Sequence, residues 1–128
     1  MADVSETLLA EAWKVRERAF VIGPTKVGCA LLTQSGKIYA GCNVEHRYRS
    51  HDVHAEVNAI SSMITGGDRQ IISLAIAAER DRFTPCGACM DWIFQFADPE
   101  SCAILCQTAP SSQIARYRLH DLMPFYPR

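Results

Sequence analysis

Apolar positions recur along this chain with a period that changes from segment to segment. Over residues 3–20, Leu8, Leu9, Ala12, Trp13, Arg16 and Phe20 return at helical spacing. Ser5 or Asp3 stands where a cap is needed, and Gly23-Pro24 ends the segment. Val27-Gly28-Cys29-Ala30-Leu31-Leu32 is a short apolar run suited to a buried strand. Ser35-Gly36 marks a turn, and residues 37–42 predict the returning strand of a hairpin. Residues 43–53 are polar and rich in Arg and His, so they predict a loop. Residues 54–65 carry Ala55, Val57, Ala59, Ile60, Met63 and Ile64, the pattern of a helix buried on most sides, closed by Gly66-Gly67. The unbroken apolar run over 71–78 fits a strand covered on both faces; the pattern alone leaves a short buried helix open. After Pro85, residues 86–97 predict a further buried helix with Ala88, Cys89, Trp92, Ile93 and Phe96 on it. Strands follow at 103–106 and near 115–119, then a tail containing proline. Strands alternating with helices argue for an α/β sandwich around a central mixed sheet.

Composition narrows the function. A chain of 128 residues fits one domain, 1–128. With 48% hydrophobic and 21% charged residues it is globular rather than disordered. A net charge of -1 leaves no global footprint for nucleic acid or an anionic membrane. No apolar run approaches the about 20 residues that span a bilayer. Asp3, Glu6, Glu11 and Glu17 fill the first turns, and no apolar stretch follows a basic start, which argues against a secretory leader. Cys29, Cys42, Cys86, Cys89, Cys102 and Cys106 therefore read as thiols of the reducing cytoplasm rather than a disulfide framework. Cys29, Cys42, Cys102 and Cys106 lie in apolar strand contexts and are expected in the core, as are Trp13 and Trp92.

Two fragments carry chemistry: His54-Ala55-Glu56 at the start of one helix and Pro85-Cys86-Gly87-Ala88-Cys89 at the start of the next. Imidazole and two thiolates form a soft ligand set for Zn²⁺. Cys86 and Cys89 are three apart, so a helical first turn puts them on one face. Helix N-termini favour negative charge and help thiolates form. Three protein ligands leave a fourth position open, the catalytic arrangement, where the metal acidifies water. Glu56 beside the metal is then placed to move protons. H-x-E followed by P-C-x-x-C is the signature of zinc nucleobase deaminases. Two other readings compete. Cys86 and Cys89 could form a thioredoxin-like redox pair, which leaves His54 and Glu56 without a role. His51, His54, Cys86 and Cys89 could close a structural zinc site, which leaves Glu56 idle. His46 and His120 read as ordinary surface histidines.

Across nearly its whole length the chain resembles the short zinc-dependent cytidine deaminases. Residues 27–32 are similar to the family's first strand, and Gly41-Cys42-Asn43-Val44-Glu45 to its G-x-N-x-E segment. The zinc motifs match at His54-Ala55-Glu56 and at residues 85–89, and Leu122-Met123-Pro124 resembles the Leu-Leu-Pro near the C-terminus. The resemblance implies a three-layer α/β/α sandwich with a mixed five-stranded sheet. It implies Zn²⁺ on His54, Cys86 and Cys89, and Glu56 as the proton shuttle. Asn43 and Glu45 would bind the sugar hydroxyls, Ala55 would offer its backbone to the base, and Tyr126 in the tail could cover the base. It further implies hydrolytic deamination of cytidine or deoxycytidine in pyrimidine salvage. It implies a cytoplasmic homotetramer or dimer whose subunits complete one another's sites, with no nucleic-acid or membrane partner.

The departures strike the substrate envelope. His54 stands where most short members have Cys, and Val57 where they carry a compensating Arg. One thiolate fewer makes that cation unnecessary. Thr25 and Lys26 fall where a Phe is usual, and Met90-Asp91 replaces Arg-Gln. The loop over residues 46–52 is rewritten, and its Arg47 and Arg49 would suit a carboxylate or phosphate on the substrate. Deamination of an analogue such as blasticidin S, or a non-catalytic zinc-stabilised binding protein, are the alternatives this leaves.

Overall fold

The computed structural model describes residues 3–81 and 83–127. Its first element is a helix, α1 (Ser5–Arg16), whose opening Ser5 N–H and hydroxyl both donate to the Asp3 carboxylate at 3.0 and 2.7 Å. The hairpin follows as β1 (Val27–Thr33) and β2 (Ile38–Cys42), paired antiparallel. Its turn needs Gly36, which sits at φ 87°, a region that a Cβ disfavours. Then come α2 (Ala55–Thr65), β3 (Ile71–Ala78), α3 (Gly87–Phe96), β4 (Ala103–Gln107), β5 (Ala115–Arg118) and a one-turn helix α4 (Leu119–Leu122). The strands form one five-stranded sheet in the order β2-β1-β3-β4-β5. Only β3 and β4 run parallel, joined across α3; the other pairs are antiparallel, so the sheet is mixed.

The apolar run over 71–78 is explained by cover on both faces. Leu74, Ile76 and Ala78 point into a core shared with Ala59, Ile60 and Met63 of α2 and Ile93 of α3. Ala75 and Ala77 point the other way, against Leu8, Leu9 and Ala12 of α1. Helices thus lie on both sides of the sheet, and the three-layer α/β/α architecture follows. Two glycines set the layer spacing. A Cβ on Gly28 would lie 1.9 Å from the Ala12 carbonyl oxygen of α1, and one on Gly41 would lie 2.5 Å from the Ala59 nitrogen of α2. Both helices therefore rest their backbones directly on the sheet.

Four details depart from the pattern-based expectation. The first helix stops at Arg16, not near residue 20. Beyond it the chain turns to lie beside residues 43–45, where the Phe20 N–H donates to the Asn43 carbonyl and the Glu45 N–H to the Phe20 carbonyl. Pairing in the tertiary structure overrides the helical period, and Phe20 is left exposed. Trp92 is not core: it stands 45% exposed on the outer face of α3, stacked on Phe96. The loop over 43–53 holds a 3-10 turn at Arg49–His51 and pairs Val44 with Val53. Finally, α4 follows β5 directly. All six cysteines are free; Cys29, Cys102 and Cys106 are buried, whereas Cys42 is only partly so. Among the described residues no helix is long and apolar enough to cross a membrane.

Candidate metal centre and active site

His54 and Cys86 occupy equivalent places: each is the extended residue that precedes a helix, α2 or α3. Their side chains do not cap those helices, so both are free for other use. Cys89 follows one turn later, buried on the inner face of α3. The packing of α2 and α3 on one side of the sheet brings these two N-termini together. The His54 Nδ1 lies 3.3 Å from the Cys89 Sγ and 3.4 Å from the Cys86 Sγ. The three donor atoms all fall within 4.8 Å of one another. A tetrahedral zinc with ordinary Zn–N and Zn–S lengths would hold its N and S ligands about 3.6 Å apart, so the donors fit that ion closely.

Electrostatics points the same way. Burial, then the nearby Glu56 and Cys86, push the Cys89 thiol up from its ordinary value. For this thiol to ionise beside Cys86 and Glu56, a cation would have to sit among them. No fourth side-chain donor joins the three among the described residues. His51, the fourth ligand a closed structural site would need, instead lies tilted against His46, with ring centroids 4.9 Å apart.

Glu56 sits on the first turn of α2, only 3% exposed. Burial raises its carboxyl above the usual range, against the opposing pull of its own backbone N–H, the Cys89 thiol and His54. A carboxyl beside the donors, shielded from water and shifted toward neutrality, is equipped to carry protons.

A cavity of about 240 Å³ opens over this centre, with Ala55, Glu56, His54 and Cys86 in its lining. Asn43 and Glu45 form part of its wall. Asn43 is nearly buried and both ends of its amide are used: it accepts from the Val27 N–H at 2.9 Å and donates to the Thr25 carbonyl at 3.0 Å. The Glu45 carboxylate accepts from the Ile22 and Gly23 N–H groups at 2.6 and 2.8 Å, which holds its carboxyl below the usual range. Arg49 reaches the cavity too, clamped between Glu45 at 3.0 Å and Asp52 at 2.9 Å. Its charge is therefore already matched by two carboxylates. Arg47 is exposed and does not line the cavity. Tyr126 is placed elsewhere: its ring stacks on Phe94 at 4.3 Å and its hydroxyl donates to Asp91. Phe83, Thr84 and Arg80, from the loop between β3 and α3, complete the lining and were not singled out from sequence. The available signal was position: the charged run Glu79-Arg80-Asp81-Arg82 stands just before Phe83-Thr84-Pro85-Cys86.

Comparison with known proteins decides the family. The profile described as "Cytidine and deoxycytidylate deaminase zinc-binding region" matches residues 2–105. The chain belongs to this deaminase family. Its likeness to a cytidine deaminase of Sporosarcina psychrophila is 39% identity over 95 residues, covering 73% of this chain and 70% of that one. A probable cytidine deaminase of Dictyostelium discoideum is 34% identical over 101 residues, covering 77% of this chain and 66% of the relative. The crystal structure of a cytidine deaminase from Burkholderia pseudomallei superposes with a TM-score of 0.85 at 27% identity, over 98% of each chain. That of a Mycobacterium tuberculosis cytidine deaminase superposes at 0.78 with 26% identity, over 93% of each. Membership of this deaminase family makes zinc the cofactor that fits the donor set, and separates the chain from redox proteins carrying C-x-x-C.

Proposed function

We propose that this protein is a zinc-dependent hydrolase that converts the cytosine ring of a nucleoside, cytidine or deoxycytidine, to uracil and releases ammonia. The observation that carries the reading is the buried Glu56 carboxyl set beside the convergent donors His54, Cys86 and Cys89. A purely structural metal site would have no use for it. His54, Cys86 and Cys89 would hold the zinc, which would supply a Lewis acid and an acidified water at the ring carbon that bears the amine. Glu56 carries both protons of the attacking water, the first to ring N3 and the second to the exocyclic nitrogen that departs as ammonia. Ala55, buried at the first helical position, presents a backbone N–H with no intrahelical acceptor, suited to the base. Asn43 and Glu45 shape the sugar end of the cavity; their bonds to residues 22–27 fix them before substrate arrives.

Residues 1–128 act as one unit in this reading, and the protein works in the cytoplasm on salvaged pyrimidine nucleosides. It is a homotetramer whose subunits complete each other's sites. In support, His54 and Cys86 are exposed, and Phe20, Ile22, Val44 and Val53 leave apolar surface uncovered. Phe125 is 95% exposed on the tail that also carries Tyr126.

The test of the chemistry is Glu56→Gln. The variant should keep its zinc and its fold, yet lose about a hundred- to ten-thousand-fold in kcat on cytidine. A rate near that of the parent enzyme would remove Glu56 from the reaction.

A further inference from the structure

Away from the metal centre, the charges on the cavity wall cancel: among its described residues Glu45 and Asp52 stand against Arg49 and Arg80. Arg49 is built into that wall as a bridge. Its Nη2 lies 3.0 Å from the Glu45 Oε2, and its Nε donates to the Asp52 Oδ2 at 2.9 Å, so one planar fork joins two carboxylates. Each carboxylate is also committed to the backbone. The Glu45 Oε1 accepts from the Ile22 and Gly23 N–H groups at 2.6 and 2.8 Å, and the Asp52 Oδ1 accepts from the His46 N–H at 2.7 Å. Residues 20–23, 43–45 and 49–53 are thereby tied into one piece, together with the Phe20–Val44 and Val44–Val53 bridges. The two acidic side chains are largely shielded, at 12% and 14% exposed. Without Arg49 they would be left as unmatched like charges on one wall.

We propose that Arg49 is a positioning residue that acts through Glu45: it fixes that carboxylate in the cavity wall so that Glu45 reads the hydroxyls of the substrate's sugar. This rests on the reading above, in which Glu45 lies at the sugar end of the cavity, and deepens it. A carboxylate offers about four acceptor sites. Two N–H groups use Oε1 and the guanidinium uses one site on Oε2, which leaves one for a ligand hydroxyl. Donors on both oxygens hold the plane of the carboxylate, so that site is in place before substrate enters and little ordering is left to the binding step. A sugar hydroxyl is a neutral donor and brings no charge that the wall would have to match. Arg49 thus serves a neutral nucleoside rather than the anion that its place in the sequence suggests.

The experiment measures kcat and KM for cytidine and for 2',3'-dideoxycytidine, which lacks both secondary hydroxyls, the latter also as a competitor. It uses the zinc-loaded enzyme and its Arg49→Ala, Arg49→Lys and Asp52→Asn variants. The parent should favour cytidine by about tenfold or more, through KM rather than kcat. Arg49→Ala should raise KM for cytidine by about tenfold, keep kcat close to the parent value and leave 2',3'-dideoxycytidine binding as it was, so the preference falls toward unity. Arg49→Lys should restore part of it, since it keeps the charge but cannot bridge both carboxylates. Asp52→Asn should move the preference the same way by a smaller factor, and it decides the matter if Arg49→Ala does not fold. An equal loss on both nucleosides, or no loss on either, would overturn the role of Arg49 while leaving the deaminase intact. A parent that uses both nucleosides equally well would do the same. Failure of the zinc-loaded parent to release ammonia from either compound would overturn the deaminase reading and this inference with it.

Discussion

Glu45 shows how much of the site is held by single polar atoms. Its carboxylate ties residues 22 and 23 to the cavity wall through two backbone N–H groups, and it also meets Arg49. Those N–H donors, chiefly, hold its carboxyl below the ordinary 4.5. A depressed carboxyl adds stability above its unfolded value and loses it as pH falls through the folded one. The parent protein should therefore unfold at higher urea than Glu45→Gln at neutral pH, and the gap should close as pH drops below about 4.5. Urea midpoints of the two proteins across that range test it; a gap that stays constant in acid would assign the effect to something other than Glu45 ionisation. The chemistry-bearing residues were legible because His, Glu and Cys at these spacings suit few other tasks. Arg80 was not, because an arginine in a charged loop is common, and only the folded cavity shows what it faces. The partners of Arg49 were hidden for the same reason: Glu45 and Asp52 meet it only once residues 43–53 fold back on themselves.

The position of the site is set by how closely helices lie on the sheet. Gly41 allows the α2 backbone to touch β2, and Asn58 donates to the Cys42 carbonyl at 2.9 Å to fix that contact. Since α2 carries Glu56 and is preceded by His54, its height over the sheet determines where the donors meet. Gly28 does the same for α1 on the opposite face, away from the metal centre. Both Gly28→Ala and Gly41→Ala should destabilise the fold by about 1–3 kcal/mol. Only Gly41→Ala should also weaken zinc retention, read as faster loss of the metal to a competing chelator. Equal retention in the two variants would show that the α2 contact does not position the ligands. Most elements were readable from period alone, because strands covered on both faces and helices buried on most sides leave strong patterns. The exceptions have physical causes. The end of α1 yields to pairing with residues 43–45, and Trp92 sits at helical spacing yet faces outward because the inner side of α3 is already filled by Cys89, Ile93 and Phe94.

At the scale of the molecule, a mixed sheet with helices on both faces delivers two helix N-termini to one point, and the chemistry follows from that meeting. The sheet order β2-β1-β3-β4-β5 matters because the crossover from β3 to β4 places α3 beside α2. The family's architecture was legible in the chain because the order of elements and the two motifs agree with each other. The identity of the substrate was not, since the cavity wall draws on three separate segments, with Thr25 and Val27 from one, Asn43 to Glu56 spanning the next, and Arg80, Phe83, Thr84 and Cys86 from the last. The central claim is that zinc on His54, Cys86 and Cys89, with Glu56 beside it, deaminates a cytosine nucleoside. The most direct measurement is a titration of zinc into the metal-free protein, following release of ammonia from cytidine and from cytidine 5'-monophosphate. Activity should be absent without metal, rise in proportion to bound zinc and level off at about one ion per chain, as expected of a single three-ligand site. Full activity without zinc, or a zinc-saturated folded protein that releases no ammonia from either compound, would contradict the account.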